Sequence, residues 1–215
     1  MSKINALVTG ASGFIGHHLV KALVKRGYHV RGVDLKFPEY ELSDAHEFFT
    51  ADLRHLSACD AAVLGIDDVY HLAADMGGIG YITAVHADVA RNNVLIDSNM
   101  LEASSVSGVR RFFYSSSACV YPVERQAVVE VSHLVEWEAY PANPEPAYGW
   151  EKLFMEELCK YYREDKGLST RIARFHNIYG PCFDDQTEIL SIDGWKKFSE
   201  IDEGDLIATR NPGTG

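Results

Sequence analysis

A chain of 215 residues is long enough to bury one core of ordinary size, with room for a small extra piece. Hydrophobic residues at 47% and charged residues at 24% are ordinary globular values and exclude a largely disordered or fibrous chain. The net charge of -11 argues against nucleic acid as a partner, because phosphate binding needs clustered Lys and Arg.

The opening residues, MSKINALVTGASGFIG, lack the basic segment, sustained apolar run and cleavage site of a secretory signal. No later stretch approaches the roughly 18 apolar residues of a membrane span, so no membrane partner is expected. Cys59, Cys119, Cys159 and Cys182 have neither metal-ligand spacing nor an evident disulfide framework. No metal is expected, and a reducing cytoplasm is the simplest location.

The first predicted elements are a strand over residues 4–8, a helix with apolar residues at Ile15, Leu19 and Leu23, and a strand over residues 30–33. This βαβ unit carries Gly10, Gly13 and Gly16 in its turn. Missing side chains there allow a tight bend, close approach of a pyrophosphate, and close packing of helix on strand. Asp34 ends the second strand, where a carboxylate can accept hydrogen bonds from both ribose hydroxyls of NAD and would repel the 2′-phosphate of NADP. Further strands are predicted in DVYHLAA and VRRFFYSSS, separated by the helical pattern HADVARNNVLIDSNMLEASSVSG. The alternation predicts an α/β fold with a parallel sheet covered on both faces.

Tyr148 and Lys152 lie four apart in AYGWEKLFMEELCKYY, a spacing that places both on one face of a helix. A lysine beside the phenol lowers its pKa, and the tyrosinate can then take a hydroxyl proton while a hydride leaves for nicotinamide. By itself such a pair is usually a surface pair. Its company here is the glycine turn and YSSSACVYP.

Together with ADL at 51–53, HLAA at 71–74, Ser117, and RFHNIYGP at 174–181, these motifs resemble the extended short-chain dehydrogenase/reductase family of nucleotide-sugar epimerases and dehydratases. The resemblance covers about residues 4–181 and implies a Rossmann-type fold with tightly held NAD. The cofactor residues it implies are Gly10, Gly13, Phe14, Ile15, Gly16, Asp34, Asp52, Leu53, Leu72, Ala73, Ala74, Tyr148 and Lys152. Ser117 would assist Tyr148 at the sugar hydroxyl.

HLAADMGGIGYI and RRFFYSSSACVYP carry a closer likeness to the 3,5-epimerases within that family, which implies a nucleotide sugar, GDP-mannose, as substrate and a homodimer once complete. In that likeness Cys119, as thiolate, removes the C3 and C5 protons after oxidation at C4, and Gly77, Gly78 and Asn177 bind substrate. A thiolate is a competent base where cations or N–H groups lower its pKa. A small buried cysteine filling a strand end is the structural alternative. The relatives acting as 4-epimerases or 4,6-dehydratases, and a non-catalytic NAD-binding module, remain open readings. His176 reads equally as a satisfied core histidine, and Cys59 and Cys159 read as structural.

After Pro181 the pattern changes. Residues 182–215 hold eight Asp or Glu against three Lys or Arg, in short strand-like pieces broken by Asp-Gly and Glu-Gly. Cys182, TEIL, DGWKKFSEI and EGDLIAT resemble the amino-terminal segment of an intein. The resemblance implies that Cys182 attacks the Pro181 carbonyl to form a thioester. It also implies a partner polypeptide carrying the remaining intein motifs and the rest of the epimerase. The expected domains are 1–181, a truncated NAD-binding Rossmann domain, and 182–215, a β-rich intein start. A divergent substrate domain is the alternative for the tail.

Overall fold

The computed structural model of the protein describes residues 3–39, 41–77, 79–82, 84–126, 134–176, 178, 188–191 and 194–197. The chain divides into two units, Met1–Asn177 and Ile178–Gly215.

In the first unit β1 (Asn5–Thr9), β2 (His29–Asp34), β3 (Glu47–Thr50), β4 (Asp68–His71), β5 (Arg111–Ser117) and β6 (Ser169–Phe175) form a parallel sheet ordered β3-β2-β1-β4-β5-β6. The helices are α1 (Phe14–Lys25), α2 (Leu56–Val63), the single turn α3 (Ile79–Ile82), α4 (His86–Val106), the single turn α5 (Val123–Gln126) and α6 (Tyr148–Lys166). Both sheet faces are covered, which is why β1 is apolar along nearly its whole length. Ala6 and Val8 pack with Val20 and Leu23 of α1. Leu7 faces the other way and joins the core built from Met100 and Leu101 of α4 and Met155 and Cys159 of α6.

The doubly wound fold is the one expected from the sequence. β1 and β2 begin and end within a residue of the predicted strands, whereas β3 was not legible. Its four residues, EFFT, pair with β2, and the two end residues are exposed.

The strand order reverses between β1 and β4, and a ligand crevice opens beyond the carboxyl ends of the strands at such a point. Thr9 of β1 aligns with His71 of β4, which aligns with Tyr114 of β5. Aligned residues share a sheet face, so these three side chains stand in a row beneath α4 and α6.

In the second unit, β7 (Glu188–Ser191) pairs antiparallel with β8 (Gly194–Lys197), Glu188 opposite Lys197. The rest of residues 182–215, Cys182 included, lies outside the described residues, as do Gly78 and Asn177. No helix among the described residues is long and apolar enough to cross a membrane.

Candidate active site

The glycine turn joins β1 to α1. Gly10 has φ 66°, and a Cβ there would lie 2.9 Å from the Ala73 nitrogen and the Leu72 carbonyl carbon. A Cβ on Gly16 would lie 2.0 Å from the Gly10 oxygen. The turn is therefore closed on α1 and on the exit of β4, and neither glycine position admits a side chain without moving backbone. Gly13 is the N-cap of α1 and supplies no side-chain cap, while Phe14 and Ile15 open a first turn with no acidic residue. The exposed N–H groups at this helix end suit an anion.

Asp34 stands at the mouth of the turn at the end of β2. Its carboxylate accepts hydrogen bonds from the Ser12 nitrogen at 2.9 Å and the Leu35 nitrogen at 2.7 Å. Asp52 is bound by Arg54 at 2.6 Å, and the guanidinium holds its carboxyl down at about 2. Leu53 is buried, and Leu72, Ala73 and Ala74 leave β4 half-buried beside Gly10. Gly77 packs against the Tyr81 side chain.

Tyr148 opens α6 and Lys152 follows one turn later, both buried. The Lys152 Nζ lies 5.6 Å from the centroid of the Tyr148 ring. The residue before, Ala147, has φ 57°, and the Tyr148 nitrogen donates to the Pro146 oxygen at 2.7 Å across it. This is a γ-turn of the strained kind, which clusters at functional sites. The sequence predicts a phenol lowered by its lysine, and the structure differs. Burial raises the Tyr148 phenol; Lys152 works against that, and the charges of Glu151, Cys119 and Asp97 add to the rise, leaving it above its ordinary value.

Ser117 ends β5 and caps the short 3-10 turn Ala118–Val120, its Oγ accepting from the Cys119 nitrogen at 3.2 Å. Cys119 is half-buried, and its carbonyl accepts from the Glu145 nitrogen at 3.0 Å. Gly149 of α6 approaches so closely that a Cβ there would lie 2.3 Å from the Cys119 oxygen. The structure thus brings Ser117, Cys119, Tyr148 and Lys152 together at the carboxyl end of β5. Cys59 and Cys159 are buried, and burial pushes both thiols up to about 12, which suits a packing role. His176 is exposed just past β6, so the core-histidine reading is corrected.

Beneath the Tyr148–Lys152 pair lies a buried polar cluster that sequence reasoning missed. Asp97 of α4, fully buried, is 3.3 Å from the Lys152 Nζ, 2.8 Å from the Tyr114 hydroxyl and 2.9 Å from the His71 Nε2. Glu151, also buried, is 3.8 Å from Lys152. One signal was available: Asp97 falls in the buried stripe Asn93, Asp97, Met100, Leu101 and Ser104 of α4, where a carboxylate needs partners.

The fold and these residues define a Rossmann-type dinucleotide-binding domain with the Tyr-Lys arrangement of short-chain dehydrogenases and reductases. The chain belongs to the NAD dependent epimerase/dehydratase family, whose match spans residues 6–193. The turn fits the family's NAD: it closes on itself without side chains, ends in an uncapped helix, and carries a carboxylate at its mouth.

GDP-mannose 3,5-epimerase 1 of Oryza sativa subsp. japonica is 48% identical over 181 residues, 83% of this chain and 48% of the relative. A short-chain dehydrogenase/reductase superfamily protein of Agrobacterium tumefaciens, solved with bound NAD, is 33% identical with TM-score 0.66, over 80% of this chain and 48% of that one. The UDP-glucose 4-epimerase of Thermotoga maritima, solved with UDP-glucose, is 29% identical with TM-score 0.72, over 86% of this chain and 59% of that one. The chain spans about half the length of the curated relatives it matches first.

Proposed function

We propose that residues 1–181 are the cofactor-binding part of an NAD-dependent GDP-mannose 3,5-epimerase, acting as a cytoplasmic homodimer when complete. The observation that carries this reading is the placement of Cys119 on the turn after β5, with its carbonyl packed against the helix that opens with Tyr148. The 48% identity to epimerases of that name supports it. The exposed stripe Trp150, Phe154 and Tyr161 on one face of α6 supports a subunit contact.

In this reading Tyr148 as phenolate takes the proton of the sugar 4-hydroxyl, with Ser117 donating to the same oxygen and Lys152 supplying the positive charge that opposes the effect of burial on the phenol. NAD, which the glycine turn and Asp34 would hold, would supply the hydride acceptor for oxidation at C4 and the hydride for the later reduction. The ketone at C4 acidifies the C3 and C5 protons, and the Cys119 thiolate removes them from one side of the ring. An acid on the other side returns a proton to each carbon, so the reaction is redox-neutral and isomerises the sugar. Gly77, Gly78 and Asn177 are the residues proposed to bind the sugar nucleotide.

Residues 182–215 are proposed as the start of an intein, with Cys182 attacking the Pro181 carbonyl. The acidic, turn-broken sequence and the β7–β8 hairpin support that assignment, while the family match runs past Pro181. DNA sequenced beyond the Gly215 codon tests it: a frame passing directly into an epimerase substrate domain overturns the tail assignment.

The test of the activity uses the chain joined to its epimerase remainder and GDP-mannose in deuterated water. Deuterium enters C3 and C5, and Cys119→Ser lowers that exchange by at least about 100-fold, the usual scale for a general base. An enzyme that turns over sugar nucleotides with Cys119→Ser unaffected is a 4-epimerase or 4,6-dehydratase instead.

A further inference from the structure

The cluster under Lys152 can be resolved donor by donor. Thr9 Oγ1 accepts hydrogen bonds from the backbone nitrogens of Leu72 and Ala73, each at 3.1 Å, which fills its two lone pairs. Its own proton must then go to His71 Nδ1, 2.8 Å away. With Nδ1 accepting, the His71 proton sits on Nε2 and is donated to Asp97 Oδ1 at 2.9 Å. Asp97 Oδ2 accepts from the Tyr114 hydroxyl at 2.8 Å and from Lys152 Nζ at 3.3 Å. The chain runs in one direction, and three of its donors, His71, Tyr114 and Lys152, converge on the Asp97 carboxylate.

The two ends of this chain are functional groups of the site. One is the backbone of Leu72 and Ala73, against which Gly10 of the glycine turn is packed. The other is Lys152, whose hydrogen-bond partner among the described residues is Asp97. An ammonium has three protons, and one bond to Asp97 leaves two directed elsewhere. The sheet register that aligns Thr9, His71 and Tyr114 makes the assembly rigid, because each group is carried by a different, directly paired strand.

We propose that Asp97 is the positioning residue of Lys152: it anchors the ammonium beneath Tyr148 and, through His71 and Thr9, ties it to the strand end that borders the glycine turn. The inference rests on Tyr148 and Lys152 being the reacting pair, and its test reads the lysine itself. A chain that failed to act on any sugar nucleotide would leave it standing.

The groups that face Lys152 are Asp97 from α4, Tyr114 from β5, and Tyr148, Glu151 and Cys159 from α6. His71 of β4 faces it across Asp97. Asp97 is the largest influence raising the lysine and Glu151 the next, both against burial.

The experiment labels lysines of the 1–215 chain with 13C and 15N and follows the Lys152 side chain by NMR against pH, assigned by its loss in Lys152→Met. In folded Asp97→Asn the Lys152 midpoint falls by at least about one pH unit, a tenfold change in its proton affinity. An unchanged midpoint in that folded variant overturns the proposal, since a role in packing alone would lower stability and leave the lysine's titration in place. If Asp97→Asn does not fold, the Asp97 13Cγ resonance of the unaltered chain decides. An ionised carboxylate from pH 5 to 9 supports the anchor, and a protonated one at pH 7 overturns it.

Discussion

At the scale of single residues, three buried groups share two charges. Asp97 and Lys152 neutralise each other, so ionising Glu151 would leave a net negative charge in the core. Its carboxyl is accordingly pushed up to about 8, by burial first, with Lys152 opposing and Asp97 adding to the rise. A carboxyl raised on folding binds its proton more tightly in the native state. Its contribution to stability is therefore complete below the unfolded value near 4.5 and is lost as pH rises through about 8. We predict that urea denaturation shows stability falling across pH 5 to 8, with a slope of up to about 1.4 kcal/mol per pH unit from this group, and that Glu151→Gln flattens the profile. Equal slopes in both proteins would contradict this. The Tyr148–Lys152 spacing was legible in the sequence because both partners lie on one helix. Asp97 was not, because its three partners come from β4, β5 and α6, and only the register puts them together.

Among the elements, the site depends on how closely α6 seats on the turn that follows β5. Gly149 makes that approach possible, and Gly149→Ala would place a methyl 2.3 Å from the Cys119 carbonyl oxygen. Backbone must shift to admit it. The expected cost is about 1–3 kcal/mol, the usual range for overpacking, read as a lower midpoint of chemical denaturation, with weaker NAD binding because Tyr148 and Lys152 move with the helix. Unchanged stability and affinity would show that the two elements are not in contact. Long elements were the legible ones: α1, α4 and α6 announce themselves by helical spacing. β3 did not, since EFFT is short and has exposed ends, and its place comes from the edge of β2 rather than from its own sequence.

For the whole molecule, the sheet reverses order between β1 and β4, where the glycine turn and the Thr9–His71 row meet, with Asp34 bonded to the turn from the end of β2, so the residues expected to hold the cofactor lie in the first unit. The parallel α/β architecture followed from strands alternating with helices. Gly78 and Asn177, read from the sequence as substrate-binding, lie outside the described residues. The most direct test is calorimetric titration of the folded 1–215 chain with NAD and with NADP at one fixed salt concentration. We predict that NAD binds, that NADP binds at least about tenfold more weakly because the Asp34 carboxylate meets its 2′-phosphate, and that Asp34→Ala narrows the gap. A folded chain that binds neither dinucleotide, or binds NADP as tightly as NAD, would contradict the account.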